Sequence, residues 1–150
     1  MPRKNSVSRT LKQVKQPKKN LTSSFLREIS TIFLELLLTI KLYHWKTYSY
    51  ATHKATDELY SKLNENIDHF IEILLGKVNE RIDLHSTKKI ELNDLKTKES
   101  LIRYIEDYKA YLVDLDNNKF MKLMTNSDLY NIRDEILGDL NQFLYLLSLD

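Results

Sequence analysis

The sequence predicts an all-α protein built as an antiparallel four-helix bundle, on three observations. Only two glycines (Gly76, Gly138) and two prolines (Pro2, Pro17) interrupt its 150 residues, so long helices are favoured over strands and turns. Apolar residues recur at helical spacing in four separate stretches. A chain of this length has room for one domain with a proper core and not comfortably for two.

The first helix opens after a boundary near Asn20 to Ser24, where Leu21, Phe25, Ile29, Ile32, Phe33, Leu36, Leu37 and Ile40 begin a period that runs on towards Tyr43 and Trp45. The segment 47–52 breaks the period. Tyr60, Leu63, Ile67, Ile71, Leu74, Leu75 and Val78 then mark a second helix from about Thr52 to Glu80, antiparallel to the first. Residues 81–97 are polar and mixed and form the long connection. Leu101, Ile102, Ile105, Tyr108, Leu112 and Leu115 define the third helix, with Asp116, Asn117 and Asn118 as its stop. Leu129, Ile132, Ile136, Leu140, Phe143, Leu144 and Leu147 define the fourth, with Asn126 or Ser127 as N-cap.

Residues 1–20 are of another kind. They hold seven bases (Arg3, Lys4, Arg9, Lys12, Lys15, Lys18, Lys19) and no acid, whereas residues 21–150 carry sixteen bases against twenty-one acids. With few large apolar groups the tail cannot offset the entropy of ordering, so it is expected to be disordered. An acidic body repels phosphate, so nucleic-acid contact falls to the tail, with little sequence specificity because no ordered element is there to read base edges.

The absence of cysteine excludes disulfides, thiolate metal sites and a Cys nucleophile, and a reducing, cytoplasmic setting is the simplest home. The most apolar run, 32–42, is broken by Glu35 and Lys41 and is too short to span a bilayer. The chain therefore reads as soluble, unsecreted and without a membrane partner.

The residues that carry chemistry lie on the second helix. His53, Asp57, Asn64, Asp68 and Glu72 fall at about 0°, 40°, 20°, 60° and 100° around it, one polar stripe beside the core-facing side. His53/Asp57 and Asp68/Glu72 are i, i+4 pairs, and each can close on one ion through imidazole nitrogen or carboxylate oxygen. Taken singly, such pairs are mostly solvated faces or helix salt-bridge partners. The rise from Asp57 to Asp68 is about 16 Å, too far to share an ion. If this helix packs antiparallel against its copy in a two-fold dimer, however, one half-site faces the other and two complete sites result. His44, near the end of the first helix and on its apolar side, is placed to be the fifth ligand. His69, at about 160°, and His85 in the connection read as surface residues.

The segment His44-Trp45, followed by His53, Asp57, Asp68 and Glu72, resembles the signature of Dps-like mini-ferritins, and the match extends loosely over residues 21–150. The chain is also similar to ferritin-like proteins of large DNA viruses. The resemblance implies a ferritin-like fold and an iron-oxidising ferroxidase centre at a two-fold interface, with His44, His53 and Asp57 from one subunit and Asp68 and Glu72 from its mate. Trp45 would stand beside the iron, able to take up an oxidising equivalent. The family's usual product is a homo-oligomeric, dodecameric cage that stores oxidised iron. The chain departs from the family in a shorter segment between His44 and His53 and in a connection between the second and third helices that is short for the family, whose extra helix there is expected to be reduced or missing. No E-x-x-H occurs, which disfavours the ordinary intra-bundle di-iron site. Iron oxidation with DNA held by the tail is the leading expectation. A non-catalytic structural or nucleic-acid-packaging bundle, in a virion or on DNA, is the alternative.

Overall fold

The computed structural model describes residues 19–149, and the described residues form four α-helices. Helix α1 spans Lys19–Lys46, α2 Tyr50–Val78, α3 Lys98–Asp114 and α4 Ser127–Leu147, with short 3-10 turns at Leu115–Asn117 and Met121–Leu123. The expected basic tail lies outside the described residues, except that Lys19 and Asn20 already belong to α1. None of the described helices is long and apolar enough to cross a membrane.

Each boundary has a local cause. Between α1 and α2 only residues 47–49 are non-helical, and Ser49 caps α2 by accepting the Thr52 N–H at 3.1 Å. Helix α2 thus starts two residues before the expected Thr52. It ends at Asn79, which takes a left-handed φ of 53° and returns its N–H to the Leu75 carbonyl. Thr97 and Ser100 close a reciprocal capping box on α3. Asn126 holds the N-cap position of α4, but its side chain is spent elsewhere, its Nδ2 donating to the carbonyls of Met121 (2.5 Å) and Met124 (3.3 Å).

Contacts between helices set the direction of each. His44 meets His53 and Phe33 meets Phe70 edge to face at 5.4 Å, so α1 and α2 are antiparallel. Lys77 bonds Asp128 at 2.8 Å, Asn66 bonds Asp139 at 3.0 Å and Lys62 bonds Gln142 at 2.9 Å, so α4 is antiparallel to α2. Tyr108 donates to the Ile32 carbonyl at 3.0 Å and Tyr111 to Glu28 at 3.2 Å, which makes α3 antiparallel to α1. Helices α2 and α3 therefore run the same way, and residues 79–97 must cross back along the whole bundle. They do so without a helix of their own, over the outside of α1. Ile82 and Leu84 lie beside Leu34 and Leu37, Asn93 reaches Thr39 at 3.5 Å, and Asp94 pairs with Lys46 at the far end. Nineteen residues reach about 60 Å when extended, enough for a helix of about 42 Å.

The core is the common inner seam. Phe33, Phe70, Phe120 and Phe143 are its largest fully buried side chains, with Leu36, Leu63, Leu74, Ile105 and Ile136 between them. On α2 the buried residues Leu59, Leu63, Ile67, Phe70 and Leu74 face this seam, and the polar stripe of Asp57, Asp68 and Glu72 runs beside it, exposed to solvent.

Candidate metal centre

The three-residue turn brings the end of α1 against the start of α2, and the two histidines there lock together. Their rings stack with centroids 4.0 Å apart and planes 21° from parallel. His44 Nδ1 lies 3.0 Å from the His53 carbonyl and His53 Nδ1 lies 3.1 Å from the His44 carbonyl. A carbonyl only accepts, so in each neutral ring the hydrogen sits on Nδ1, which leaves both Nε2 lone pairs free to bind a cation. Thr56, fully buried, supports the pair: its Oγ1 lies 3.2 Å from His44 Nδ1 and passes its own hydrogen to Thr52 O at 2.8 Å or His53 O at 3.0 Å. Outer hydrogen bonds of this kind fix tautomer and ring direction in metal-binding histidines.

Asp57 completes this end. Its Oδ1 stands 3.9 Å from His44 Nε2 and 3.9 Å from Lys41 Nζ, and the Lys41 ammonium rests 4.0 Å above the centre of the Tyr60 ring. A resident cation thus already neutralises the carboxylate, and an arriving metal would compete with it. Lys41, Thr56 and Tyr60 were not foreseen in the sequence. Thr56 lies four residues from Thr52 on the buried side of α2, a spacing that could have signalled a packed hydroxyl.

Asp68 and Glu72 lie at the other end of the stripe, one turn apart, exposed, and neither is ion-paired among the described residues. Asp68 edges an apolar groove of about 260 Å³ between α1, α2 and the start of the crossover, lined by Phe33, Leu34, Leu37, Ile67, Ile71, Ile82 and Leu84 among others. Trp45, at 73% exposure, stands out from the last turn of α1. His69 and His85 are exposed, as expected.

One chain therefore stacks His44 on His53 and sets His44 3.9 Å from Asp57, and keeps Asp68 and Glu72, about 16 Å along the helix from Asp57, apart from them. Among its described residues no group of three or more His, Cys, Asp or Glu is arranged to hold a metal ion. The donor types nevertheless suit a divalent transition metal: two imidazole nitrogens with fixed tautomers and a carboxylate at one end, and two unpaired carboxylates at the other.

A family model described as a Family of unknown function (DUF5856) matches residues 44–147, a span that begins at His44 and takes in all the candidate ligands. No curated protein and no solved structure matches the chain.

Proposed function

The chain belongs to the Family of unknown function (DUF5856), and we propose that this member is a ferritin-like, iron-oxidising protein whose site is shared between two subunits. The observation that carries the reading is the reciprocal His44/His53 lock. Two rings that each spend Nδ1 on the other's carbonyl keep both Nε2 atoms out of those bonds, and that of His44 stands 3.9 Å from the Asp57 carboxylate, so the lock that holds the hairpin also leaves donors that a metal could use. The single long crossover between parallel α2 and α3 supports the ferritin-like assignment, because that connectivity distinguishes such bundles from simple up-and-down ones.

In this reading Fe(II) is the substrate. His44, His53 and Asp57 of one copy and Asp68 and Glu72 of the second receive it, and the excess of carboxylate oxygen stabilises Fe(III) over Fe(II), which makes oxidation easier than in water. Each Fe(II) gives up one electron. A peroxide accepts two, takes two protons and leaves as two waters. Lys41 swings away from Asp57 when the cation enters, since both compete for one carboxylate. Trp45 lies close enough in sequence to the site to supply an electron when iron is short. The particle is a homo-oligomer built on the two-fold pair, with a dodecameric cage as the assembly such subunits make, and the basic tail holds it on DNA of any sequence.

A second reading has one observation in its favour. Lys41, set between Asp57 and Tyr60, is what a purely structural ion pair would contain, and a non-catalytic packaging bundle would need nothing more.

Aerobic addition of Fe(II) to the purified protein, with and without peroxide, followed at the ferric absorbance, separates the two. Oxidation above the buffer rate that Glu72→Gln and Asp68→Asn remove, with the apo melting temperature kept or raised, supports the metal reading. Unchanged rates in both variants reject it.

A further inference from the structure

The strongly exposed aromatic side chains among the described residues, Trp45, Tyr48, Tyr50 and Tyr145, gather at one end of the bundle. That end is formed where α1 stops at Lys46, α2 starts at Tyr50 and α4 stops at Leu147, with Leu147 and Leu149 set against Ala51 and Thr52. Tyr48, at the centre of the three-residue turn, is wholly exposed. The opposite end treats its aromatics otherwise: Phe25 and Phe120 stack inside the core with centroids 4.4 Å apart, and Tyr130 donates its hydroxyl to the Leu115 carbonyl. Single exposed apolar side chains are ordinary on any protein surface, but a set confined to one end marks a contact.

Cations stand among these rings. Lys46 and Lys96, with Trp45, Tyr48 and Leu95, line an open hollow of about 550 Å³ beside the turn, and Lys54 stands exposed one turn after Tyr50. Against Lys46, Lys54, Lys96 and Lys98 the end sets Asp94, which Lys46 already holds, and Glu99. Further along α2, Asp57 and Glu58 are each held by a lysine, Lys41 and Lys62. The end is therefore locally basic on a body whose residues 21–150 carry more acid than base.

The placement of the rings decides which partner fits. They come from three helices and a turn and surround the end, and the exposed Leu149 stands with them. A nucleic-acid strand follows a groove with rings in file along it. A flat surface meets all of these side chains at once. Trp and Tyr favour the boundary between lipid headgroups and acyl chains, where the ring enters apolar matter while its N–H or O–H stays wet, and neighbouring lysines reach anionic headgroups.

We propose that this end of the bundle docks on an anionic lipid surface, with Trp45, Tyr48, Tyr50 and Leu149 entering the headgroup layer and Lys46, Lys54 and Lys96 pairing with lipid phosphates. None of the described helices crosses a bilayer, so the contact is peripheral and confined to the tip. The basic tail enters the bundle at the opposite end, through Lys19. The inference needs neither the metal nor the two-fold pair.

The test uses the full-length, metal-free protein, in which tryptophan emission comes from Trp45 alone. Vesicles of phosphatidylcholine with phosphatidylglycerol should move that emission to shorter wavelength, and lipids brominated near the headgroup end of the acyl chain should quench it. Vesicles of phosphatidylcholine alone should act more weakly. The basic tail also attracts anionic vesicles, but from the far end of the bundle, so binding through it leaves Trp45 emission at the solvent value. Tyr48→Ser combined with Tyr50→Ser should lower the partition read from Trp45 by about tenfold. Lys54→Gln and Lys96→Gln should lower it by about fivefold each, the worth of one lysine at an anionic surface. Val113→Ser, exposed at the opposite end, should leave it unchanged. Vesicle binding that leaves Trp45 emission unmoved, or no vesicle binding at all, would overturn the proposal. So would an emission shift produced by a single-stranded oligonucleotide and not by vesicles, which would assign the end to nucleic acid.

Discussion

His44 and His53, nine positions apart in the chain, each donate an Nδ1 hydrogen to the other's backbone carbonyl, at 3.0 and 3.1 Å. Neither bond can be removed by substituting a partner side chain, because both acceptors are main chain. Thr56 is the exception that mutation can reach. Thr56→Val keeps the shape, removes the hydroxyl beside His44 Nδ1 and leaves that ring only its carbonyl partner. Loss of one such outer bond should weaken Fe(II) or Zn(II) binding by about tenfold and lower stability by about 1–2 kcal/mol. Calorimetric metal titration and chemical unfolding of the same variant check both effects. Unchanged affinity would mean that His44 is oriented without Thr56.

Glu35 gives a pH dependence of defined sign. Partial burial, and secondarily the nearby Glu91, raise its carboxyl above the ordinary value of 4.5. An acid raised on folding holds its proton in the folded state at a pH where the unfolded chain has released it. Stability therefore falls as pH rises from 4.5 through the folded-state value, and it stays lower above. Glu35→Gln should raise the melting temperature at pH 7, and the difference should vanish as pH falls below 4.5. A variant that is less stable than the parent at pH 7 would show that Glu35 makes a contact worth more than its desolvation.

Much of this molecule could be read from its sequence, and the parts that could not share a cause. The four helices followed from Leu, Ile and Phe at helical spacing, because that period is local and strong. The stripe of His53, Asp57, Asp68 and Glu72 followed from the same arithmetic, and so did the separation of its two ends. The histidine lock did not, since it depends on the three-residue turn at 47–49 setting one backbone against another. Lys41 was equally hidden: a lysine interrupting an apolar run reads as a solvated interruption until Tyr60 and Asp57 are seen beneath it. Residue type offers Asn126 or Ser127 as the N-cap of α4; Asn126 takes the position, yet its amide serves the carbonyls of Met121 and Met124, an acceptor pair created by the preceding 3-10 turn.

The tail makes a separate, electrostatic prediction. Seven bases and no acid in residues 1–20 can neutralise up to seven phosphates, so the logarithm of DNA affinity should fall against the logarithm of salt with a slope approaching about −6 for one tail. Replacing all seven bases by Gln should abolish gel retardation of DNA of any sequence at moderate salt, with helical content and iron oxidation unchanged. Equal retardation by the neutral-tail protein would assign DNA binding to the acidic body.

The central claim is that neither chain of a pair owns a complete site, and subunit complementation addresses it most directly. Asp57→Ala damages one half-site and Glu72→Ala damages the other, so homodimers of either variant should be inactive. When equal amounts are unfolded together and refolded, half the dimers pair one variant with the other, and each of these keeps one intact site of its two. The mixture should recover about a quarter of the wild-type rate of Fe(II) oxidation per subunit, while each variant alone stays at the buffer rate. A mixture no more active than its separate components, alongside an active wild-type protein, would contradict the shared site.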